Sequence, residues 1–520
     1  MIDVGHGCLD GTLEEGELYR RTPVKAWVGF FALCVGMFMA VLDIQIVASS
    51  LPDIQAGLHI PADDLAWVQT AYLIAEVVAI MLSGWLTPAL STGGLFTLSV
   101  VFFTLASLGC AGAHSFAGLI FFRVVQGFFG GAIIPTAFTA GYRIFPIRLQ
   151  PRATLVAGSL AVLAPTIGPC LGGYITENYD WPWLFWINLL PGILVSLTTW
   201  FTVHIDRPDP RRWRHIDFVS AMLLAVALAS FEIVLTRAPI IGWTHPRTLF
   251  LVALCGLTAV WGVRRCLADP DPLVNFRIFR RRHFSIACAL TFIFGTALYG
   301  TVYLMPLFLG YVRHHTALET GMIMTVMGVA QLLSAPAAAY AERRFSCLLV
   351  TGVGFALYGV GLIANGFETP ATDAAQLFWP QVLRGLAVLI CLIPVTNAAL
   401  RGHDPEHLPQ ASALINLIRN LGGAIGISLV DTLINLRPTP IGQGIVRKLM
   451  AGDRATAAFV GLPLDRFHGV PIGPVSAADQ EFGRPLIERA AATIAFNEAW
   501  LLLGIAMLLA ACLIPFLRRR

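Results

Sequence analysis

The chain has 520 residues, 56% of them apolar and 13% formally charged, with a net charge of +4 and a mean hydropathy of +0.72. About a quarter of the residues in a soluble domain are charged, so this chain cannot cover a water-facing surface and most of its exterior must meet lipid. No basic patch interleaved with aromatics points to nucleic acid, and the 10 cysteines form no C-x-x-C pair, which reads as buried free thiols.

A helix needs about 20 apolar residues to cross a bilayer. Fourteen such runs start near Ala26, Trp67, Leu95, Phe116, Ala153, Trp183, Phe218, Leu249, Phe284, Gly321, Leu348, Leu377, Ala411 and Ile494. The first is too long for the apolar core of a removable signal. Unpaired backbone groups are not tolerated in lipid and barrel-type alternation is absent, so the spans are helices. The expected organisation is a cytoplasmic tail over 1–25 and a six-helix bundle over 26–203. Two inserted helices with basic flanks follow over 204–283, then a second six-helix bundle over 284–517. That second bundle includes a long outer loop over 437–493, and a basic end follows at 518–520.

Lys and Arg collect on the cytoplasmic side of membrane proteins. With the N-terminus inside, the inner segments hold 22 of them and the short outer loops three, Arg237, Arg247 and Arg313. The bias places both termini in the cytoplasm. Trp27, Trp67, Trp85, Trp181, Trp183, Trp200, Trp261 and Trp379 sit at run ends, as interfacial anchors do.

Six charges fall inside runs: Asp43, Glu76, Arg123, Glu232, Arg384 and Arg419. A charge at the bilayer centre costs about 2.5–3.5 kcal/mol on insertion scales, so such residues face a wet path or a partner. Counted from their run ends at 1.5 Å per residue, Asp43, Glu76 and Arg123 all lie roughly 10–14 Å below the outer surface. They are expected to meet there as a carboxylate–guanidinium cluster. Two roles stay open for it: proton exchange when a partner is displaced, or a static pair that fixes helix packing.

Polar or small stripes mark three further helices. Span four carries Arg123, Gln126, Gly127, Gly130 and Pro135. Span five reads Ala164-Pro165-Thr166-Ile167-Gly168-Pro169-Cys170-Leu171-Gly172-Gly173, in which the glycines permit close helix approach and the prolines bend the helix. Span thirteen carries Asn416, Arg419, Asn420 and Gly423. Arg123 and Arg384 each lie seven residues into their runs, each followed by an Ile-Pro step at Pro135 and Pro394. Spans five and thirteen share glycine pairs. This doubling suggests two repeated halves, with substrate bound where they meet.

These residues resemble the major facilitator superfamily, specifically the fourteen-span drug:proton antiporters of the EmrB/QacA type. Leu42-Asp43 with Leu51-Pro52 is similar to the span-one motif, Arg123-Val124-Val125-Gln126-Gly127 to that of span four, and Gly168-Pro169-Cys170-Leu171-Gly172-Gly173 to the antiporter motif. Asp180-Trp181-Pro182-Trp183, Ile187-Asn188, and Asn416, Arg419-Asn420 with Gly422-Gly423 also fit. Gln45 and Ala48 depart from the Thr and Asn often found there. The segment Gly84–Gly93 has none of the charges usual after span two.

The resemblance implies an all-α major facilitator fold and a proton-coupled exporter of hydrophobic drugs in the inner membrane. Its energy source would be the proton gradient, with no cofactor and no metal. Asp43, Glu76 and Arg123 would couple protons, and Pro165, Gly168, Pro169, Gly172 and Gly173 would gate. Gln126, Glu232, Arg384, Asn416 and Arg419 would line the substrate cavity. A periplasmic adaptor and an outer-membrane channel are the implied partners, with 437–493 as a docking segment or a plain loop. Two alternatives stand beside this: an exporter of one metabolite or siderophore, and a membrane-embedded enzyme or scaffold. Neither H-E-x-x-H, G-x-S-x-G nor a Walker A motif is present.

Overall fold

A computed structural model describes residues 24–61, 65, 67–146, 148–209, 217–270, 272–400, 407–467 and 477–517. The 1–23 part of the tail, Arg211, Arg212, Arg214, Arg401, 468–476 and the basic end 518–520 lie outside the described residues.

The first bundle comprises α1 (Val24–Ser49), α3 (Trp67–Leu90), α4 (Thr92–Ala111), α5 (Phe116–Ile144), α6 (Gln150–Asn178) and a broken sixth span, α7 (Trp183–Trp186) with α8 (Leu189–Thr202). The short α2 (Leu51–Leu58) follows α1. Then come the inserted α9 (Phe218–Ile241) and α10 (Pro246–Ala268). The second bundle holds α11 (Arg282–Tyr311), α12 (Ala317–Arg344), α13 (Cys347–Asn365), α14 (Ala374–Leu400), α15 (Leu408–Leu436) and α18 (Ala477–Ala510). Between α15 and α18 lie α16 (Pro438–Met450) and α17 (Arg454–Val460).

Hydroxyl and carboxylate caps set several helix starts, because the first backbone N–H groups need acceptors. Ser91 and Ser115 accept from Gly94 and Gly118. Thr316 and Glu319 form a reciprocal capping box. Asp217 accepts from Val219 and Ser220 at the start of α9.

Among the described residues, 13 helical segments are long and apolar enough to cross a membrane. The fourteenth expected span, α6, is a 29-residue helix of lower apolarity. The reason is its position: α6 packs along both α1 and α12, so protein rather than lipid covers much of it. The described arginines of the inner segments, Arg143, Arg207, Arg264, Arg265, Arg280 and Arg344 among them, lie at or near helix ends on one face, called here the arginine-rich face. At that face Trp27 of α1 packs 4.3 Å from Phe145 after α5, and Arg282 of α11 lies 5.3 Å from Phe516 near the chain end.

The two halves repeat their close contacts. In the first, Gly168 of α6 meets α1 at Gln45, Gly127 and Gly131 of α5 meet α3 at the Tyr72 and Glu76 carbonyls, and Gly192 of α8 meets α4 at Thr104. In the second, Gly422 and Gly426 of α15 meet α11 at the Phe292 and Thr296 carbonyls. Gly385 of α14 meets α12 at the Met327 carbonyl, and Gly504 of α18 meets α13 at the Gly359 carbonyl. Every contact is too tight for a side chain, which is what small residues provide in the absence of a hydrophobic drive between lipid-bathed helices.

Three expectations change. The described part of segment 437–493 is a folded helical cap rather than a loop: Ile445, Leu449, Ala457, Val460, Phe467, Ala490 and Ala491 form their own core. Polar composition hides it because the helices are amphipathic and short. The last span starts earlier than Ile494, since α18 begins at Ala477, and Ala490 and Ala491 pack into the cap. Trp85 is no interfacial anchor but a core residue, 4% exposed. Trp183, Trp200, Trp261 and Trp379 are exposed.

Candidate functional site

Asp43 of α1 and Arg123 of α5 form an ion pair at 2.6 Å, and both side chains are 0% exposed. The carboxylate is saturated. Its Oδ1 accepts from Gln126 at 3.0 Å and from Asn188 at 2.7 Å, while Oδ2 takes Arg123 Nη1. Arg123 also donates to Gln126 Oε1 at 2.7 Å and, through Nε, to the Val68 carbonyl at 3.1 Å. Its guanidinium lies 4.3 Å over the Tyr72 ring, which stabilises a cation further. Ser107 accepts from both amides, Gln126 at 3.1 Å and Asn188 at 3.0 Å, and donates to the Phe185 carbonyl. Among the described residues, one guanidinium nitrogen, Nη2, has no partner.

Helix spacing builds this network. Arg123 and Gln126 are neighbours on one face at i and i+3. Gly127 and Gly131 let α5 settle on the α3 backbone, which brings Tyr72 and the Val68 carbonyl to the guanidinium. Asn188 arrives through the break between α7 and α8. Asn188 and Ser107 are the network members that sequence reasoning does not place in the site. Each is one polar residue in an apolar run, a weak signal alone.

Glu76 is buried, 3% exposed, but stands apart. Among the described residues, no hydrogen bond joins it to Arg123. The charges acting on it are Glu232 of the inserted α9, then Arg123 and Arg419. The expected three-membered cluster is therefore a pair, Asp43–Arg123, with Glu76 buried apart from it within electrostatic reach of Glu232 and Arg419. The physical reason is position along α3: Val68 and Tyr72, one turn apart, are its residues at the guanidinium, and Glu76 lies a further turn along the helix.

A small cavity of about 20 Å³ lies between the bundles, walled by Val41, Ile134 and Ala161 of the first half and Leu298, Tyr299, Val302, Leu392 and Arg419 of the second. Of the five expected cavity residues, Arg419 lines this space. Asn416 orients it, accepting from Arg419 at 2.7 Å while donating to the Ser412 carbonyl. Gln126 belongs to the Asp43 network instead. Glu232 is buried on α9, which packs on α3 and α15 and bridges the seam between the halves. Arg384 is sealed inside the second bundle, 4.8 Å over the Trp500 ring. Sequence periodicity cannot separate these settings, because a polar stripe says which face is buried and not what buries it.

The antiporter segment sits in α6 where that helix is held between the halves. Gly168 touches Gln45 of α1, and the adjoining Cys170 packs on Gly321 of α12. Pro169, Gly172 and Gly173 are buried beside them. Pro165 lies in the same helix, with its side chain outside the described set.

At the arginine-rich face the halves are tied together. Asn397 of α14 accepts from Tyr142 of α5 and from Thr154 of α6, the latter at 3.1 Å, and donates to Glu342. Ser412 of α15 donates to the Pro135 carbonyl at 2.9 Å. Removing a shared buried acceptor costs about 1–3 kcal/mol. Asn397→Ala is therefore expected to lower the thermal unfolding temperature, while Val353→Ala, at an exposed position, leaves it in place. The charges missing from Gly84–Gly93 are supplied elsewhere: Arg143 pairs with Asp206, which accepts from the Thr92 amide at 2.8 Å and hydroxyl at 2.9 Å.

Two repeated helical bundles around a shared, largely apolar space, with a buried ion pair beside it, have the build of a secondary transporter. A family model described as the Major Facilitator Superfamily matches residues 33–427, and the chain belongs to that superfamily. It is a multi-pass transporter of the inner membrane, not an enzyme. It is similar to the colistin resistance protein EmrB of Acinetobacter baumannii, 36% identical over 82% of this chain and 84% of the relative. It is also similar to the multidrug export protein EmrB of Escherichia coli K12, 32% identical over 77% and 79%. The human organic anion transporter MFSD10 shares the fold at a TM-score of 0.59 and 12% identity, covering 93% of this chain and 99% of its own. The proton:xylose symporter XylE does so at 0.56 and 10%, covering 94% and 95%.

Proposed function

We propose that this chain is a proton-coupled antiporter that exports hydrophobic drugs or toxic small molecules across the inner membrane, with both termini in the cytoplasm. The observation that carries the reading is the Asp43–Arg123 pair: a fully buried carboxylate that can hold a proton only by giving up its guanidinium. Protonation of Asp43 frees Arg123 to shift among Gln126, Tyr72 and the Val68 carbonyl. Those groups sit on α3 and α5 beside α1, so the shift acts on the packing of the first bundle. Arg419 lines the inter-bundle space, where a substrate meets it, and Glu76 lies within its electrostatic reach. The lining of that space, mostly aliphatic with Tyr299 and Arg419, suits an apolar molecule bearing one polar or anionic group.

The ties at the arginine-rich face fit a molecule closed to the cytoplasm. The helical cap of α16 and α17 would then project into the periplasm, where an adaptor leading to an outer-membrane channel docks. The test is ethidium transport by the purified protein in proteoliposomes under an imposed pH gradient. Uptake that follows the gradient and collapses with an uncoupler is expected. Transport indifferent to the gradient would overturn proton coupling.

A further inference from the structure

The second bundle holds a buried polar cluster that the Asp43 network does not use. Arg384 of α14 is 1% exposed, and among the described residues its Nε and Nη1 have no hydrogen-bond partner. Glu368, on the link between α13 and α14, is 5% exposed, and its carboxylate makes no well-formed hydrogen bond, the Trp500 indole N–H being the donor that lies nearest to one. Asn365 has both side-chain polar atoms unpaired, while Tyr358 lies beside Thr301, and Trp500 beside Glu368, without well-formed hydrogen bonds. Each unpaired buried polar group costs about 1–3 kcal/mol, and native interiors leave few of them. So many in one place mark a site built to bind.

Glu368 is held there from behind. Asn497 of α18 grips its backbone twice, accepting from the Glu368 N–H at 3.1 Å and donating to its carbonyl at 2.8 Å. Two residues on, the Pro370 carbonyl accepts from Arg313 at 3.2 Å and from Arg489. Asp373 pairs with Arg313 at 2.8 Å and with His315, which also meets Glu319. The link is pinned on its exposed side by charge pairs and aims its one buried acid inward, at the electrostatic reach of Arg384 but outside hydrogen-bonding contact.

We propose that Glu368, set near Arg384 in a buried polar cluster with Asn365, Tyr358, Thr301 and Trp500, is a second proton-binding site, separate from Asp43. Arg384 occupies the repeat position of Arg123, seven residues into its run. In the first half that arginine is engaged by Asp43; in the second it lies near an acid it does not touch. Water reaching this cluster completes the hydrogen bonding of Arg384 and Asn365 and carries the proton. Burial pushes the Glu368 carboxyl up to about 8, with Arg384 opposing. The hydrogen bond from Arg313 holds Asp373 down to about 2, so Asp373 stays ionised while Glu368 titrates. The use of the proton in export rests on the antiporter reading; its binding does not.

The test is infrared difference spectroscopy of the full-length protein in lipid nanodiscs, stepping pH upward through about 8. A protonated-carboxyl band that bleaches over this range is expected in the parent. One component of it should vanish in Glu368→Gln and persist in Asp43→Asn, Glu76→Gln and Glu232→Gln, which report the other buried acids. Glu368→Asp, which keeps an acid on the same link, should move the band or its midpoint. The imidazole of His315 has no carboxyl band. An unchanged band in Glu368→Gln, an unmoved one in Glu368→Asp, or a band lost only in Asp43→Asn, Glu76→Gln or Glu232→Gln overturns the proposal. If ethidium export fails while the band behaves as stated, the antiporter reading falls and this site stands.

Discussion

Asp43→Asn is expected to reduce pH-gradient-driven ethidium export to the level of protein-free vesicles, while the variant still reaches the membrane. The substitution keeps the shape of the side chain and removes its charge. Three donors converge on Asp43, from Arg123, Gln126 and Asn188. An asparagine offers one acceptor oxygen and turns an N–H₂ toward at least one donor. Arg123 then remains as a buried cation without an anion, a loss of about 3–5 kcal/mol for a buried pair broken on one side. The Tyr72 face and Gln126 offset part of this.

Adding Arg123→Gln should therefore restore much of the thermal stability that Asp43→Asn removes, without restoring export. That contrast separates the two roles left open by the sequence. A static pair predicts that the stability-restored double variant transports again. A coupling pair predicts that it does not. Thermal unfolding in detergent and ethidium export, measured on the parent, the single and the double variant, decide between them. Full export by Asp43→Asn alone would remove that residue from the mechanism.

Gly168→Val should be the most damaging single substitution in the antiporter segment. An added Cβ there overlaps the Cβ of Gln45 on α1, two residues from Asp43. Overpacking of this kind costs about 1–3 kcal/mol. The functional effect is expected to be larger than the loss of stability, because α1 can yield only by moving Asp43 away from α5. A Cβ added at Gly256 of α10 would meet nothing within 4 Å. The same change there should leave unfolding within about 0.5 kcal/mol and export intact. Equal loss of export in both variants would mean that close approach of α1 and α6 has no special role.

The class of the molecule is legible in the chain alone. Low charge forces a lipid-facing exterior, and run lengths make helices the spanning elements. The cost of burying charge flags Asp43, Glu76, Arg123, Arg384 and Arg419 as residues needing a reason. Glycines such as Gly127, Gly168 and Gly422 already mark the helix contacts. The folded cap at 438–460 is not legible, because its apolar residues are few and are brought together only by folding against Ala490 and Ala491 of α18.

Partners are the work of tertiary packing. Depth along a helix is a one-dimensional quantity that a chain position gives, so three charges at one depth read as one cluster. Which of them meet depends on helix rotation and packing, and Arg123 meets Asp43 while Glu76 makes no hydrogen bond with it among the described residues. Glu368 is set near Arg384 by the grip of Asn497, 129 residues further along the chain. No local pattern encodes a contact between residues so far apart, because only the packed bundle brings them within reach.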